Sequence, residues 1–295
     1  RELIRQNYNH PSVIVWGLSN ELHQMTDEIF GLYSELYEIA CEEDDTRLKT
    51  FADNQFYGRF LELPADVVGY NRYFGWYKDA GSADNFGEWL DLYHNEKEKR
   101  PVCLSEYGGG GAISQHKDNV DWESDIDPVG VRHYENYQSQ LHEILWKQFS
   151  VRKYLWAEFI WCMFDFASYG RTEGDTKSLN DKGLCTRERI PKDVYFFYRS
   201  VWSSEKTVYI TERRHEFRTC DVPFVKVYSN ADAVELCIND VSHGRISRCE
   251  LPDDENTVFV WKNIKIKPGT KNKICAKAYF SDGASRTDYA FWTGK

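Results

Sequence analysis

Apolar residues follow two rhythms along the chain, and the change between them divides it near residue 204. Before that point, short unbroken apolar runs alternate with stretches in which apolar side chains recur every three or four positions. The runs at residues 13–18, 48–52, 67–71, 102–105 and 155–166 are bounded by polar turns and read as strands buried on both faces. Residues 27–43 place Ile29, Leu32, Tyr33, Leu36, Ile39 and Ala40 on one helical face. Residues 84–99 do the same with Phe86, Leu90 and Tyr93, and residues 130–152 and 192–202 complete the helical set. Residues 1–8 carry Leu3, Ile4 and Tyr8 at helical spacing, and His10-Pro11 stops that helix because a residue before proline avoids the α region.

Strands and helices therefore alternate five times, the pattern of a parallel sheet covered on both faces. A (β/α)8 barrel uses about 31 residues per βα unit. Glu21 and Glu106 close the first and fourth runs, 85 residues apart, which is three units of ordinary size. The five strands are then expected to be the last five of eight. That puts the two glutamates on strands 4 and 7 and leaves the first three units outside this chain.

From Val208 the pattern changes. Residues 225–228, 234–238, 258–261 and 274–279 read as short strands separated by Ser229-Asn230, Asn239-Asp240, Lys267-Pro268-Gly269 and Ser281-Asp282-Gly283. That spacing predicts a β-sandwich of immunoglobulin-like kind. The expected fold is α/β plus all-β: a partial TIM (β/α)8 barrel over residues 1–204, then the sandwich over 205–295.

Charge narrows the partners. The net charge is −10. Residues 1–205 hold 22 Lys and Arg against 35 Asp and Glu, and residues 206–295 hold 15 against 12. An acidic first part excludes nucleic acid, which needs a cationic surface. No run of about 18 apolar residues suggests a membrane span, and no signal-peptide pattern opens the chain, so the compartment stays open. The eight cysteines show no CxxC and no tight spacing, which argues against zinc or a disulfide framework. Neither a metal nor a cofactor is expected. The aromatic content of 16% suits the C–H faces of sugars and suits a core equally well.

Two carboxylates at strand ends on one barrel rim are the equipment of a glycosidase. A retaining enzyme needs one carboxyl as acid/base and one as nucleophile, about 5–5.5 Å apart. The plainer alternative is that each glutamate is a first-turn helix acid favoured by the dipole. Tyr107 precedes four glycines, Gly108 to Gly111, a stretch that packs no side chain and reads either as a flexible loop or as an approach for substrate. Trp161 on the last run offers a stacking face or a core side chain. Tyr73 follows the third run within reach of a catalytic carboxylate. Asn180-Asp181-Lys182-Gly183 is either a polar turn or a contact to a sugar hydroxyl or carboxylate.

Residues 12–21 (SVIVWGLSNE) resemble the acid/base signature of glycoside hydrolase family 2, and SEYG around Glu106 resembles its nucleophile motif. Asn71 to Tyr77 (NRYFGWY) is similar to a stretch shared by that family's galactosidases and glucuronidases. FDFAS from Phe164, Gly170-Arg171, Glu173-Gly174-Asp175 and NDKGL from Asn180 resemble its β-galactosidases. The resemblance implies Glu21 as general acid/base and Glu106 as nucleophile. It implies Asn20 at the sugar 2-hydroxyl, Tyr73 holding the nucleophile and Trp161 lining the subsite. It ranks β-galactosidase acting on terminal β-galactosides first. β-Glucuronidase is the alternative, because Asn180 and Lys182 match the Asn-x-Lys that reads the glucuronate carboxylate. The family's usual domains before the barrel and its strands 1 to 3 are not in this sequence, so these residues alone are expected to give little turnover. A purely carbohydrate-binding or structural fragment is the rival from another class. An aldolase-type barrel would need a lysine at a strand's C-terminal end, and none is offered. An open first strand also invites pairing with another chain.

Overall fold

Five parallel strands organise the first part of the computed structural model, which describes residues 1–55, 58–253 and 256–295. They are β1 (Val15–Asn20), β2 (Leu48–Asp53), β3 (Val68–Asn71), β4 (Val102–Tyr107) and β5 (Leu155–Ile160), side by side in chain order. β1 and β5 are the two edges, so the sheet is open. All four neighbouring pairs are parallel, as continuous apolar runs with intervening helices require. By its internal contacts the chain forms two compact units, Arg1–Gly108 with Gln148–Trp161 and Gly109–Lys147 with Cys162–Lys295.

In the first unit, helix α1 (Glu2–Asn7) precedes β1, α2 (Asp27–Glu43) joins β1 to β2, and α3 (Phe86–Glu96) joins β3 to β4. Thr26 caps α2 by accepting the Ile29 N–H at 3.2 Å, with Asp27 and Glu28 favourably placed in the first turn. Tyr33 and Ala40 form its buried side, Tyr33 meeting Phe51 of β2 edge-on at 6.0 Å. Leu32 and Leu36 face outward, 58% and 40% exposed, so the apolar stripe is wider than the face the strands cover. Where α2 ends, the buried Asp44 carboxylate accepts from Trp16 Nε1 of β1 at 2.9 Å, Thr46 N and Oγ1, and Arg47 Nη1. Burial alone raises its pKa, but these donors overcome it and hold the carboxyl well below the usual range. Phe74 stacks on Phe86 at 4.4 Å, and Phe149 meets Phe86 and Tyr107 edge-on.

The second unit contains helices α4 (Trp122–Asp125), most of α5 (Glu135–Phe149) and α6 (Asp193–Trp202), with the short strands β6 (Phe166–Ala167) and β7 (Leu179–Asn180). α5 is shorter than its pattern suggests. Residues 130–134 are drawn into a bridge instead, Ala112 N donating to His133 O and Glu135 N to Gln115 O. β5 likewise stops at Ile160 rather than running to residue 166. From Cys162 the backbone pairs with residues 182–185: Cys162 N reaches Lys182 O, and Leu184 N reaches Cys162 O.

β8 (Val208–Ile210), β9 (Phe217–Arg218), β10 (Asp221–Ser229), β11 (Ala233–Ile238), β12 (Val241–Ser247), β13 (Val258–Lys265), β14 (Lys271–Tyr279) and β15 (Ser285–Gly294) follow. They make two sheets, β13-β10-β8 and β12-β11-β14-β15-β9, all pairs antiparallel except β15 with β9. Val225, Val227, Leu236, Phe259, Ile274 and Trp292 lie in their core. Asn239 and Asp240 join β11 to β12 with φ of 51° and 66°, the left-handed pair that a two-residue hairpin demands.

Candidate active site

The C-terminal ends of β1, β3 and β4 bring the candidate side chains together, and β3 is the link. Asn71, its last residue, is the register partner of Glu106 on β4. Asn71 Nδ2 donates to Glu21 Oε1 at 2.8 Å and to Asn20 Oδ1 at 3.1 Å. Its Oδ1 accepts from Ser105 Oγ at 2.7 Å, so the amide can face only one way. Two residues on, the Tyr73 hydroxyl donates to Glu106 Oε2 at 2.5 Å. One strand end thus holds one carboxylate through Asn71 and the other through Tyr73. Both glutamates are half-buried, open to a ligand on one side and to fixed donors on the other.

Local sequence explains the approach. A Cβ on Gly69 would stand 2.7 Å from Ser105 Oγ and 3.1 Å from Phe51 O, so only glycine lets Ser105 turn across β3 towards Asn71. β1 ends at Asn20 because Glu21 takes φ of 49°, the left-handed region that non-glycine residues avoid. Its N–H still donates to Ala52 O of β2 at 2.9 Å. Such strain, on the order of 1 kcal/mol, gathers at functional positions. Here it takes the side chain out of the strand's alternation. Neither glutamate is the first-turn helix acid of the plainer reading.

Electrostatics keep the donors in place. Burial, reinforced by Glu106, pushes the Tyr73 phenol far above its ordinary range, so it stays protonated and donating. Asp53, at the end of β2, is fully buried. Its Oδ1 accepts the Gln55 N–H at 2.7 Å, and its Oδ2 has no hydrogen-bond partner among the described residues. Burial raises its pKa to about 6, and the charge of Glu21 adds to the rise.

Trp161 lies one residue past β5, its N–H donating to Tyr107 O at 3.1 Å, which sets it beside the strand that carries Glu106. Asn180 and Lys182 belong to the second unit. Both are buried, Asn180 Oδ1 accepting the Lys182 N–H at 3.1 Å, so this loop is no solvated polar turn. Asp165 Oδ1 ties it down by accepting from Gly183 N at 2.9 Å and Lys192 Nζ at 2.8 Å. Burial raises Asp165 to about 6 against the pull of Lys192. A Cβ on Gly183 would fall 2.2 Å from Asp165 N, which fixes glycine there.

Sequence reasoning missed Asn71, Ser105 and Asp53. The signal that selected the glutamates, a polar residue closing a buried strand, also marks Asn71 and Asp53. In the second unit Asp118, Glu212 and His215 have ligand atoms within 4.8 Å of one another. Arg218 already occupies this cluster by pairing with both carboxylates, so it is an ion-pair network. Lys49 of β2 is buried at the N-terminal end of its strand, its Nζ donating to the carbonyls of Asp44 and Arg47. It cannot serve as a Schiff-base lysine at the opposite rim.

An open parallel sheet with helices between its strands carries Glu21 and Glu106 at its C-terminal rim, each held from the end of β3, and its fold matches known glycosyl hydrolases. The profile of "Glycosyl hydrolases family 2, TIM barrel domain" matches residues 1–207, and "Domain of unknown function (DUF4982)" matches residues 222–286. This chain belongs to glycosyl hydrolase family 2. It is 37% identical over 270 residues to a β-glucuronidase of Bacteroides fragilis, covering 91% of this chain and 37% of that protein. Among solved structures, it is similar to an FMN-binding β-glucuronidase from Faecalibacterium prausnitzii, with TM-score 0.86 and 34% identity. A putative β-galactosidase from Bacteroides fragilis gives TM-score 0.89 and 30% identity. Each alignment covers 100% of this chain and 43% of the other. The chain therefore spans less than half the length of these relatives.

Proposed function

We propose that this chain carries the catalytic pair of a retaining β-glycosidase, and that its glycone is a terminal β-D-glucuronide. The double hold of β3 on the two glutamates, Asn71 on Glu21 and Tyr73 on Glu106, is the observation that carries the mechanism. Ionised Glu106 attacks the anomeric carbon while protonated Glu21 gives its proton to the departing aglycone oxygen. The resulting glycosyl ester on Glu106 is then hydrolysed by a water that Glu21 deprotonates, with net retention. Tyr73 orients the attacking carboxylate, and Asn20 serves the 2-hydroxyl. Trp161 lines the sugar subsite.

The glucuronide preference reverses the order suggested by the NDKGL stretch. Its support is the β-glucuronidase of Bacteroides fragilis at 37% identity, together with the Asn-x-Lys pattern of Asn180 and Lys182. β-Galactoside hydrolysis is the second reading, favoured by the putative β-galactosidase of TM-score 0.89. Within this proposal residues 1–204 are the last five βα units of the barrel, and residues 205–295 an immunoglobulin-like sandwich outside the chemistry. The 295 residues alone are expected to turn over little substrate, because a pocket needs walls on every side. The deciding assay sets an aryl β-glucuronide against an aryl β-galactoside, using protein that contains these residues and turns over either one. Faster cleavage of the glucuronide, abolished by Glu106→Gln, is the expected result. Near-wild-type rates in Glu106→Gln would remove the nucleophile assignment, and preference for the galactoside would remove the glucuronide one.

A further inference from the structure

Cys237 of β11 and Cys275 of β14 are register partners on adjacent antiparallel strands. Such partners project from the same face. Their neighbours Leu236, Ile238, Ile274 and Ala276 are buried in the sandwich core, so both thiols stand on the outer face, where each is partly exposed. Asn239 N donates to Lys273 O at 2.9 Å, two residues beyond the pair. The two-residue alternation of an antiparallel ladder then makes Cys237 and Cys275 a hydrogen-bonded pair, with Cα atoms about 5.5 Å apart. A disulfide bridges Cα separations of about 4.4–6.8 Å, so the backbone is already within range.

The row extends beyond the two sulfurs. Ser242 of β12 partners Cys237 on one side, and Tyr289 of β15 partners Cys275 on the other. The Ser242 hydroxyl donates to Glu235 Oε1 at 2.8 Å, and the ammonium of Lys273 favours the thiolate of both cysteines. Burial works the other way and leaves both thiols above their ordinary value, with Glu235 adding to the rise at Cys237 and Cys237 itself adding to the rise at Cys275.

We propose that Cys237 and Cys275 form a reversible redox cross-link on the outer face of the sandwich, closed by a low-molecular-weight disulfide such as oxidised glutathione. One cysteine thiolate attacks the glutathione S–S bond, forming a mixed disulfide and releasing one glutathione thiolate. The second cysteine thiolate attacks the protein sulfur of that mixed disulfide and releases the other glutathione. The two cysteines are oxidised, one glutathione disulfide is reduced to two thiols, and the two cysteine protons end on them. Side chains of a hydrogen-bonded pair stand farther apart than those of the intervening pairs. The closed bond is therefore strained and easily reduced, the property of labile disulfides rather than permanent ones.

The proposal is independent of the glycosidase reading and can be tested on folded protein made of these 295 residues. The protein is incubated with oxidised glutathione at about pH 8.5, where thiolates are populated, then alkylated, digested without reduction and mapped by mass. Free thiols are expected to fall from eight to six, with one linked peptide pair holding Cys237 and Cys275, reversed by dithiothreitol. Cys237→Ser should convert Cys275 to a stable glutathione adduct, and Cys275→Ser the reverse. Cys249→Ser, which removes an exposed thiol, should leave the cross-link unchanged. Separate glutathione adducts on both cysteines of the wild type would overturn the proposal. So would linkage to any other cysteine, or reaction at Cys249 while the pair stays reduced.

Discussion

Asp53 gives up one hydrogen-bond partner and all of its solvent beside the candidate acid/base. Its carboxyl, raised to about 6 by burial and then by Glu21, titrates near 3.9 in an unfolded chain. The folded state therefore holds the proton more tightly, so this group's contribution to stability falls as pH rises from about 4 to about 6 and is flat above. Asp53→Asn should match wild type in urea denaturation at pH 4 and exceed it by roughly 2 kcal/mol at pH 8. Equal midpoints at pH 8 would show that the carboxyl is not raised. Asn71→Ala should cost more activity than stability, because it frees Glu21 and Ser105 while removing little apolar area. A drop of about 10²-fold in kcat/KM with Tm nearly unchanged is expected. The glutamates were legible because a charge that ends an apolar run is conspicuous. Asn71 ends its run with an uncharged amide. Asp53 shows its isolation only once the three-dimensional surroundings of its oxygens are known.

Elements that bury one clear face were the readable ones. β3 is buried at all four positions, and its run of apolar residues announced it. β12 is exposed along most of its length, and β15 is exposed over its first half. Neither carried the alternation that marks a strand, so both escaped. The end of α2 shows how one residue ties elements together: Asp44 joins the helix to β1 through Trp16 and to the turn before β2 through Thr46 and Arg47. Asp44→Ala should destabilise by about 3 kcal/mol at neutral pH, since it leaves several buried donors unpaired. Its folded pKa is depressed, so the difference from wild type is complete above about pH 4 and narrows as the unfolded state takes up its proton below that. A constant difference between pH 3 and pH 7 would contradict the depression.

On the scale of the molecule, the sheet of the first unit ends on β1 and β5, each with one edge that no described strand pairs. A cavity of about 440 Å³, lined by Val13, Val15, Phe51, Trp156 and Phe159 among others, lies along its apolar face. Ile14 beside it is 66% exposed and Phe159 49% exposed. Open edges next to apolar surface recruit further strands. These 295 residues should bind a hydrophobic dye and gain mass with concentration in light scattering, and Ile14→Lys with Phe159→Lys should reduce both. Unchanged dye binding in the double variant would locate the apolar surface elsewhere. The count of five parallel strands was readable from the alternation of runs and helices. The division into compact units was not, because it follows contacts made after Gly108 and Trp161, between segments distant in sequence.

The left-handed backbone at Glu21 carries a consequence for anyone who edits this position. Glycine alone adopts that conformation freely, so Glu21→Gly should melt higher than Glu21→Ala, by about 1 kcal/mol of stability. It would also leave a vacated space in which azide or formate could stand in for the lost carboxyl. Under the proposed mechanism, the acid/base would then be a residue whose replacement by glycine relaxes the chain, so thermal robustness and the proposed chemistry pull against each other at one position.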